Sequence, residues 1–171
     1  MKPLLLIAVL FLTGCKEELA QVPDPVSLSP EALSHYCQMA VAEHGGPKGQ
    51  VHLEGAPQPL FFGQVRDLLV YLKMPERDAT ILAVYVSDTG AAPNWADMGA
   101  DNWIPAETAF FVVGAAVAGG MGAPEVVPFS TTDAARAFAK RYGGDVMALD
   151  DIPADVVLGP VDLNQRLEVP L

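Results

Sequence analysis

The chain has 171 residues, of which 51% are hydrophobic and 18% are charged, and its formal net charge is −11 at pH 7. This apolar fraction is enough for a packed core, so the composition excludes disorder as the state of most of the chain. The acidic balance argues against nucleic acid as a partner, because phosphates require positive protein surface. The length fits one domain or two small fused halves.

The first fifteen residues, MKPLLLIAVLFLTGC, combine one lysine, a short apolar run and a Leu-Thr-Gly-Cys ending. The run is roughly ten residues, whereas a membrane-spanning helix needs about twenty, so it predicts a signal peptide. The ending is similar to a bacterial lipoprotein cleavage site, which predicts removal of residues 1–14, lipid on Cys15 and a mature net charge of −12. The alternative is an ordinary signal peptide followed by a chance cysteine.

The next part of the chain predicts a tether and the beginning of a domain. Residues 15–30 contain charges and three prolines and indicate a flexible tether on the membrane surface. A short strand is predicted at 50–53 and a buried, β-branched strand at 80–86. Between them, residues 63–73 carry a helical apolar stripe, which Pro75 ends.

A polar loop over residues 87–102 separates this segment from a second one with a similar order of elements. The elements predicted in the second segment are strands over 107–113 and 125–129, a helix over 131–142, and a strand over 145–149. Aligning Phe62 with Phe129 places helix over helix and relates the two segments by about 67 positions.

The predicted fold is therefore α+β, with two tandem ββαβ-like halves in one compact unit behind a flexible N-terminal tether. We place the first half at residues 31–90 and the second at 91–150. Residues 151–171 contain three prolines without helical periodicity, and we expect an extended C-terminal tail.

Cys37 becomes the only thiol of the mature chain if Cys15 carries lipid. A solitary thiol in an oxidising compartment is open to three interpretations: a buried inert cysteine, a catalytic or intermolecular thiol, or a metal ligand. Met39 lies two residues later, so the two sulfurs share a side only where the backbone is extended or turning, and they diverge on an α-helix. A thiolate with a thioether favours monovalent copper, while burial of both side chains is the simpler alternative.

Met121 is a second candidate, because it lies among glycines in the segment GGMGAP at residues 119–124 and has few local packing partners. It could converge with Cys37 and Met39 in a three-sulfur site, or the glycines could form no more than a tight turn. Three histidines near Cys37 in sequence are further nitrogen donors, each of which is also consistent with solvated surface; they are His35, His44 and His52.

No nucleophile elbow, Walker loop or dinucleotide-binding fingerprint occurs in the sequence. Acidic residues in the central loop are typical of solvation, and Trp95 and Trp103 are more consistent with anchoring that loop than with an exposed contact surface.

Taken together, these motifs resemble the NosL family of nitrous-oxide reductase accessory lipoproteins. The resemblance covers most of residues 33–150. The motifs that carry it are Cys15, Cys37-x-Met39, EHGGPKGQ at 43–50, Trp103-Ile104-x-Ala106, the 119–124 loop, and Pro128-Phe129-Ser130 before a helix that ends at Gly143-Gly144. The family more often has glycine between the Cys and the Met, where this chain has Gln38, which restricts the backbone of the turn.

The resemblance implies a non-enzymatic copper metallochaperone that binds Cu(I) through Cys37 and Met39, with Met121 as a further ligand. It also implies delivery of copper for the copper-sulfide centre of nitrous-oxide reductase in denitrification, with an ABC-type maturation complex as partner. The protein would face the periplasm from the membrane, and Lys16 after the acylated cysteine favours the outer membrane. Two alternatives remain open, namely a thiol-dependent redox enzyme using Cys37 and a structural lipoprotein of a membrane complex.

Overall fold

The protein contains two antiparallel sheets. In each sheet, a helix lies in the chain between the second and the third strand. The computed structural model describes residues 22–76, 79–162 and 164–170. The predicted leader and the acylation site Cys15 lie outside the described residues. Among the helices in those ranges, none has both the length and the apolar character needed to cross a bilayer.

The first sheet has the strand order β2-β1-β3-β4 and is antiparallel throughout. Its elements, with the helix that follows β2, are β1 (Gly49–Leu53), β2 (Leu60–Phe62), α1 (Val65–Lys73), β3 (Ile81–Ser87) and β4 (Trp103–Pro105). The central strand β1 is almost wholly buried. Five side chains of α1 are buried as well, which fixes the helix against the core.

The second sheet has the order β6-β5-β7 and is also antiparallel. Its elements are β5 (Phe110–Val113), β6 (Val127–Phe129), α2 (Thr132–Tyr142) and β7 (Asp145–Met147), and a short helix α3 (Ala154–Leu158) follows. The side chain of Thr131 caps α2 by accepting a hydrogen bond from the amide of Ala134. Gly143, with φ of 79°, ends the helix in a conformation that favours glycine.

The two halves confirm the predicted α+β class and the tandem ββαβ order. β2 and β6 begin 67 positions apart, at Leu60 and Val127, and the two helices begin at Val65 and Thr132 with the same offset. In both halves the first strand is central and the second pairs beside it, so the sheets share one topology. The duplicated pattern in the sequence therefore corresponds to duplicated structure.

Several elements differ from the sequence-based expectation. β6 begins two residues later than predicted, at Val127, and β7 ends two residues earlier, at Met147. Residues Ala106–Thr108 form a 3₁₀ turn, so β5 begins three residues later than predicted. β4 was not predicted. It pairs with β3 in the first sheet, although it lies beyond residue 90, where we placed the end of the first half. That boundary stays a prediction. The expected extended tail contains α3, because Val157 is buried and the Arg66 guanidinium donates to the carbonyls of Val157 and Gly159 at 3.0 and 3.3 Å.

The described part of the predicted tether, residues 22–30, lies along the first sheet. The buried amide of Gln50 exchanges two hydrogen bonds with the backbone of Val26, at 2.9 and 3.0 Å. The hydroxyl of Tyr85 donates to the carbonyl of Pro23 at 2.7 Å. This stretch is therefore held on the domain by side chains of β1 and β3.

A buried carboxyl group connects the second half to the first. Glu125, which is 1% exposed, accepts hydrogen bonds from the amides of Arg66 in α1 and of Val126, both at 2.9 Å. Burial raises the pKa of Glu125 to about 8, against the opposing effects of these two amides and of Lys48. Burial likewise lowers the pKa of Lys48 to about 8, although the nearby Glu125 opposes that shift.

The substitution Glu125→Gln tests this buried group. Because folding raises its pKa from 4.5 to about 8, the native protein holds a proton that the unfolded chain has lost between these two values. The contribution of Glu125 to the free energy of unfolding is thus fully present below the unfolded pKa. It declines as the pH rises towards about 8, by at most about 1.4 kcal/mol per pH unit.

We expect the variant to lack this decline, so that urea denaturation across the range shows its stability increasing relative to wild type. The exposed Glu107→Gln provides the control and should show a small difference at every pH. A stability difference between Glu125→Gln and wild type that does not change with pH would contradict the interpretation.

Candidate metal centre

The first candidate segment, residues 34–39, is a tight loop that we call the Cys37 loop. Leu33 and Ala40 form an antiparallel bridge at its base. The amide of Ser34 donates to the carbonyl of Met39 and the amide of Gln38 donates to the carbonyl of Ser34, each at 2.9 Å. The segment is therefore turning rather than α-helical, which is one of the two backbone forms that the Cys-x-Met spacing requires.

Gln38 occupies the position that determines this turn. Its φ is 57°, the left-handed region that favours glycine, and it is the one non-glycine residue with positive φ recorded within the described ranges. Such a conformation costs a residue with a Cβ roughly 1–2 kcal/mol. The side-chain amide of Gln38 offsets part of that cost by donating to the carbonyls of Ser34 and His35, at 3.2 and 2.8 Å. Glutamine therefore supports this turn in a conformation that favours glycine.

The second candidate segment, residues 119–122, forms the Met121 loop. The amide of Gly122 donates to the carbonyl of Gly119 at 2.9 Å, which places Met121 at the third position of a reverse turn. A Cβ on Gly119 would lie 2.5 Å from Oε2 of Glu125, and one on Gly120 would lie 2.6 Å from Cβ of His44. Gly119 and Gly120 are thus needed for close approach to Glu125 and to His44, and Gly122 supplies the positive φ of 78° at the end of the turn.

Both loops are attached to the two residues that precede α1. The amide of Gly63 donates to the Ser34 hydroxyl at 3.2 Å, which fixes the Cys37 loop. The side-chain oxygen of Gln64 accepts from the amide of Met121 at 3.3 Å, which fixes the Met121 loop. The fold therefore brings the two loops to one place, although they are more than eighty residues apart in the chain.

The sulfur-bearing side chains remain accessible at this place. Met39 is 43% exposed and Met121 is 40% exposed, while Cys37 is partly buried and free of any disulfide. Tyr36, at the tip of the same loop as Cys37, is also exposed. Two exposed methionine side chains therefore lie on the two loops that are attached beside the start of α1.

The three histidines have different surroundings. His35 packs edge-on against Phe62 and Tyr71, with ring centroids 5.6 Å apart in each case. His44 lies between the loops, near Gly63 and Gly120, and its buried Nε2 has no hydrogen-bond partner among the residues described. His52 corrects the expectation of an exposed strand residue, because it is 8% exposed, bonds Gln50 at 2.9 Å, and has a pKa lowered by burial.

A buried ammonium group supports the segment that carries His44. The Nζ of Lys48 donates to the carbonyl of His44 and, at 3.2, 2.8 and 3.4 Å, to the carbonyls of Gly45, Gly46 and Gly63. Lys48 is 4% exposed, so these four carbonyls replace the water that its charge would otherwise bind. The histidine is thereby held beside the start of α1.

Several residues that build this site were not identified from sequence. Ser34 and Gln64 act through hydrogen bonds to backbone amides distant in sequence, and Lys48 acts through the carbonyls that surround its ammonium group; such bonds leave no periodic signal. Within the described ranges, no three His, Cys, Asp or Glu side chains gather as a metal-binding cluster. A cavity of about 420 Å³ beside Trp95 and Phe138 lies elsewhere and is lined by none of the three predicted sulfur ligands.

Comparison with known proteins gives a consistent result. The NosL family model matches residues 25–157. The copper-binding lipoprotein NosL of Achromobacter cycloclastes is 53% identical over 160 residues, covering 93% of this chain and 83% of that protein. The copper-binding lipoprotein NosL of Stutzerimonas stutzeri is 33% identical over 153 residues, covering 86% of this chain and 78% of that protein.

Solved structures agree with the sequence comparison. The crystal structure of the copper chaperone NosL from Shewanella denitrificans superposes with a TM-score of 0.71 at 32% identity, over 75% of this chain and 95% of that one. The solution structure of the apo-NosL protein from Achromobacter cycloclastes matches with a TM-score of 0.50 at 52% identity, over 71% of this chain and 95% of that one. The chain belongs to the NosL family.

Proposed function

We propose that this protein is a copper chaperone that carries one Cu(I) ion on Cys37, Met39 and Met121. The observation that carries the proposal is that two loops bearing these sulfurs are attached to the same dipeptide, Gly63-Gln64, and leave both thioethers partly exposed. The names of the relatives, copper-binding lipoprotein and copper chaperone, support the same function.

The chemistry of the donors favours the monovalent ion. Thiolate and thioether sulfur are soft ligands that select Cu(I), whereas Mg²⁺, Ca²⁺ and Mn²⁺ prefer oxygen. His44 lies near Gly63 and Gly120 and is the open candidate for a nitrogen ligand, whereas His35, within the Cys37 loop, is packed among aromatic rings.

Exposure of the sulfurs also fits a carrier. A ligand of a receiving protein can approach an ion held at the surface before the first ligand leaves, so the ion is transferred without being released to water. Tyr36 and Met39 place apolar surface beside the ion for such a contact.

A redox enzyme using Cys37 is less consistent with the geometry. Such an enzyme needs a base within about 3 Å of the thiol. His35 is instead packed against Phe62 and Tyr71, and His44 lies over Gly63 and Gly120. A purely structural lipoprotein would tolerate loss of the sulfurs, so the experiment on copper binding also tests that alternative.

Copper binding is tested by anaerobic titration of the mature chain in detergent with Cu(I) against a competing chelator. We expect one ion per chain, loss of specific binding in Cys37→Ser, and roughly a tenfold weakening in Met39→Leu and in Met121→Leu, which corresponds to about 1.4 kcal/mol each. The control is Met74→Leu, because Met74 is equally exposed, at 39%, but follows α1 at its far end. Binding that survives in Cys37→Ser would reject the proposed site.

We further propose that the copper is delivered for the copper-sulfide centre of nitrous-oxide reductase, with an ABC-type maturation complex as partner. In this proposal the protein faces the periplasm from a lipid on Cys15, with the outer membrane favoured. This proposal rests on the family and on the lipoprotein names of the relatives.

Delivery is tested in a denitrifying cell that lacks the chromosomal copy. We expect the wild-type chain and Met74→Leu to restore nitrous-oxide reduction under copper limitation, and Cys37→Ser to fail at equal protein abundance. Fractionation of the same cells reports whether the chain is in the outer membrane. Full restoration by Cys37→Ser would separate nitrous-oxide reduction from copper binding and contradict this role.

A further inference from the structure

Gln64 has both ends of its side chain engaged at the junction of the two candidate loops. It is the last residue before α1 and is 4% exposed. Its Nε2 donates to the carboxylate of Asp67 at 2.9 Å, within the first turn of the helix. Its Oε1 accepts from the amide of Met121 at 3.3 Å. The bond to Asp67 therefore orients the amide so that its oxygen faces the Met121 loop.

The Met121 loop depends on such outside contacts because its own backbone is permissive. Glycine residues on both sides of Met121 impose little preference of their own on φ and ψ. Because Gly119 has no Cβ, Oε1 of Gln64 lies only 2.9 Å from the position that a Cβ on Gly119 would occupy. The turn is closed by the hydrogen bonds of Gly119 and Gly122 within the loop, and the bond from the Met121 amide to Gln64 fixes the turn against the first half.

The neighbouring residue fixes the other loop. The amide of Gly63 holds the Ser34 hydroxyl at the base of the Cys37 loop. Gly63 and Gln64 are neighbours in the chain, so the two loops are attached to adjacent residues, one through the Gly63 amide and the other through the Gln64 side chain. A change at Gln64 should consequently move Met121 relative to Cys37 while leaving the Cys37 loop in place.

We propose that Gln64 is a positioning residue for the metal centre, which sets the place of the Met121 sulfur relative to Cys37 and Met39. This inference rests on the proposed function and goes beyond it by assigning a role to a residue that supplies no ligand. The amide oxygen and nitrogen of Gln64 are hard donors already bonded to protein, so they do not bind the soft ion themselves. Residues that orient metal ligands typically change affinity by roughly 10–100-fold when replaced.

A double-mutant cycle on Cu(I) affinity tests the inference with Gln64→Leu and Met121→Leu in the mature chain. We expect Gln64→Leu to weaken binding by up to roughly tenfold, which is the loss that Met121→Leu itself causes, and to have no further effect once Met121 is already leucine. In the Met39→Leu background, by contrast, the effect of Gln64→Leu should persist. X-ray absorption of the copper-loaded Gln64→Leu protein should show one fewer sulfur neighbour than wild type.

Two further variants separate positioning from general stability. Thr131→Ala removes the cap of α2 at the equivalent place in the second half, so it should lower stability without changing copper affinity or the sulfur count. Gln64→Glu combined with Asp67→Asn reverses donor and acceptor, so it keeps a hydrogen bond between the two side chains and an oxygen in reach of the Met121 amide, and it should retain most of the wild-type affinity. Equal losses in Thr131→Ala and Gln64→Leu, or in this reversed pair and Gln64→Leu, would overturn the inference.

A measurement on the wild-type protein covers the case in which Gln64→Leu does not fold. Amide hydrogen exchange of Met121 should be slower than in an unstructured chain, because the amide is bonded to a buried side chain. Exchange at the free-chain rate would contradict the proposal, as would additive effects of Gln64→Leu and Met121→Leu. Copper binding that is insensitive to Cys37→Ser would instead refute the proposed site, so the two failures are distinguishable.

Discussion

Close backbone approach at the beginning of α1 is the constraint on which the arrangement of this protein depends. Gly119 and Gly120 of the second half fit against Gln64 and His44 of the first half only because they lack a Cβ. The same place receives the base of the Cys37 loop through Gly63. A side chain at either glycine would overlap these neighbours and force the two halves apart, and packed interiors tolerate such insertions poorly. The candidate site therefore depends on the contact between the two halves.

This contact is built around buried polar groups rather than a purely apolar seam. Glu125 accepts a hydrogen bond from the amide of Arg66, and the ammonium group of Lys48 donates to the carbonyls of His44 and Gly46. Burial opposes the charged form of both side chains, as their shifted pKa values indicate. A buried polar group destabilises the fold when its hydrogen bonds are lost. The arrangement of the loops that keeps these bonds is therefore favoured over similar arrangements that break them.

Much of the fold follows from the sequence, and the site only in part. Apolar periodicity and the stop at Pro75 predicted α1, and the 67-residue offset from Leu60 to Val127 predicted the duplication. The tail was mispredicted at α3, because that helix depends on Arg66 binding its last carbonyls, a contact that no local pattern records. Cys37, Met39 and Met121 were identified by residue chemistry and resemblance, and their role as copper ligands stays a prediction. Gln64 and Ser34 went unnoticed because ordinary polar residues acquire their roles only after folding.

The docking of residues 22–30 on the first sheet has a consequence for how far the protein can range. With the proposed lipid on Cys15, seven residue steps join the anchor to Val22, the first described position. An extended chain advances at most about 3.6 Å per residue, so the distance from Cys15 to Val22 is at most about 25 Å. An anchored domain of this kind stays close to the bilayer surface and diffuses in two dimensions rather than three.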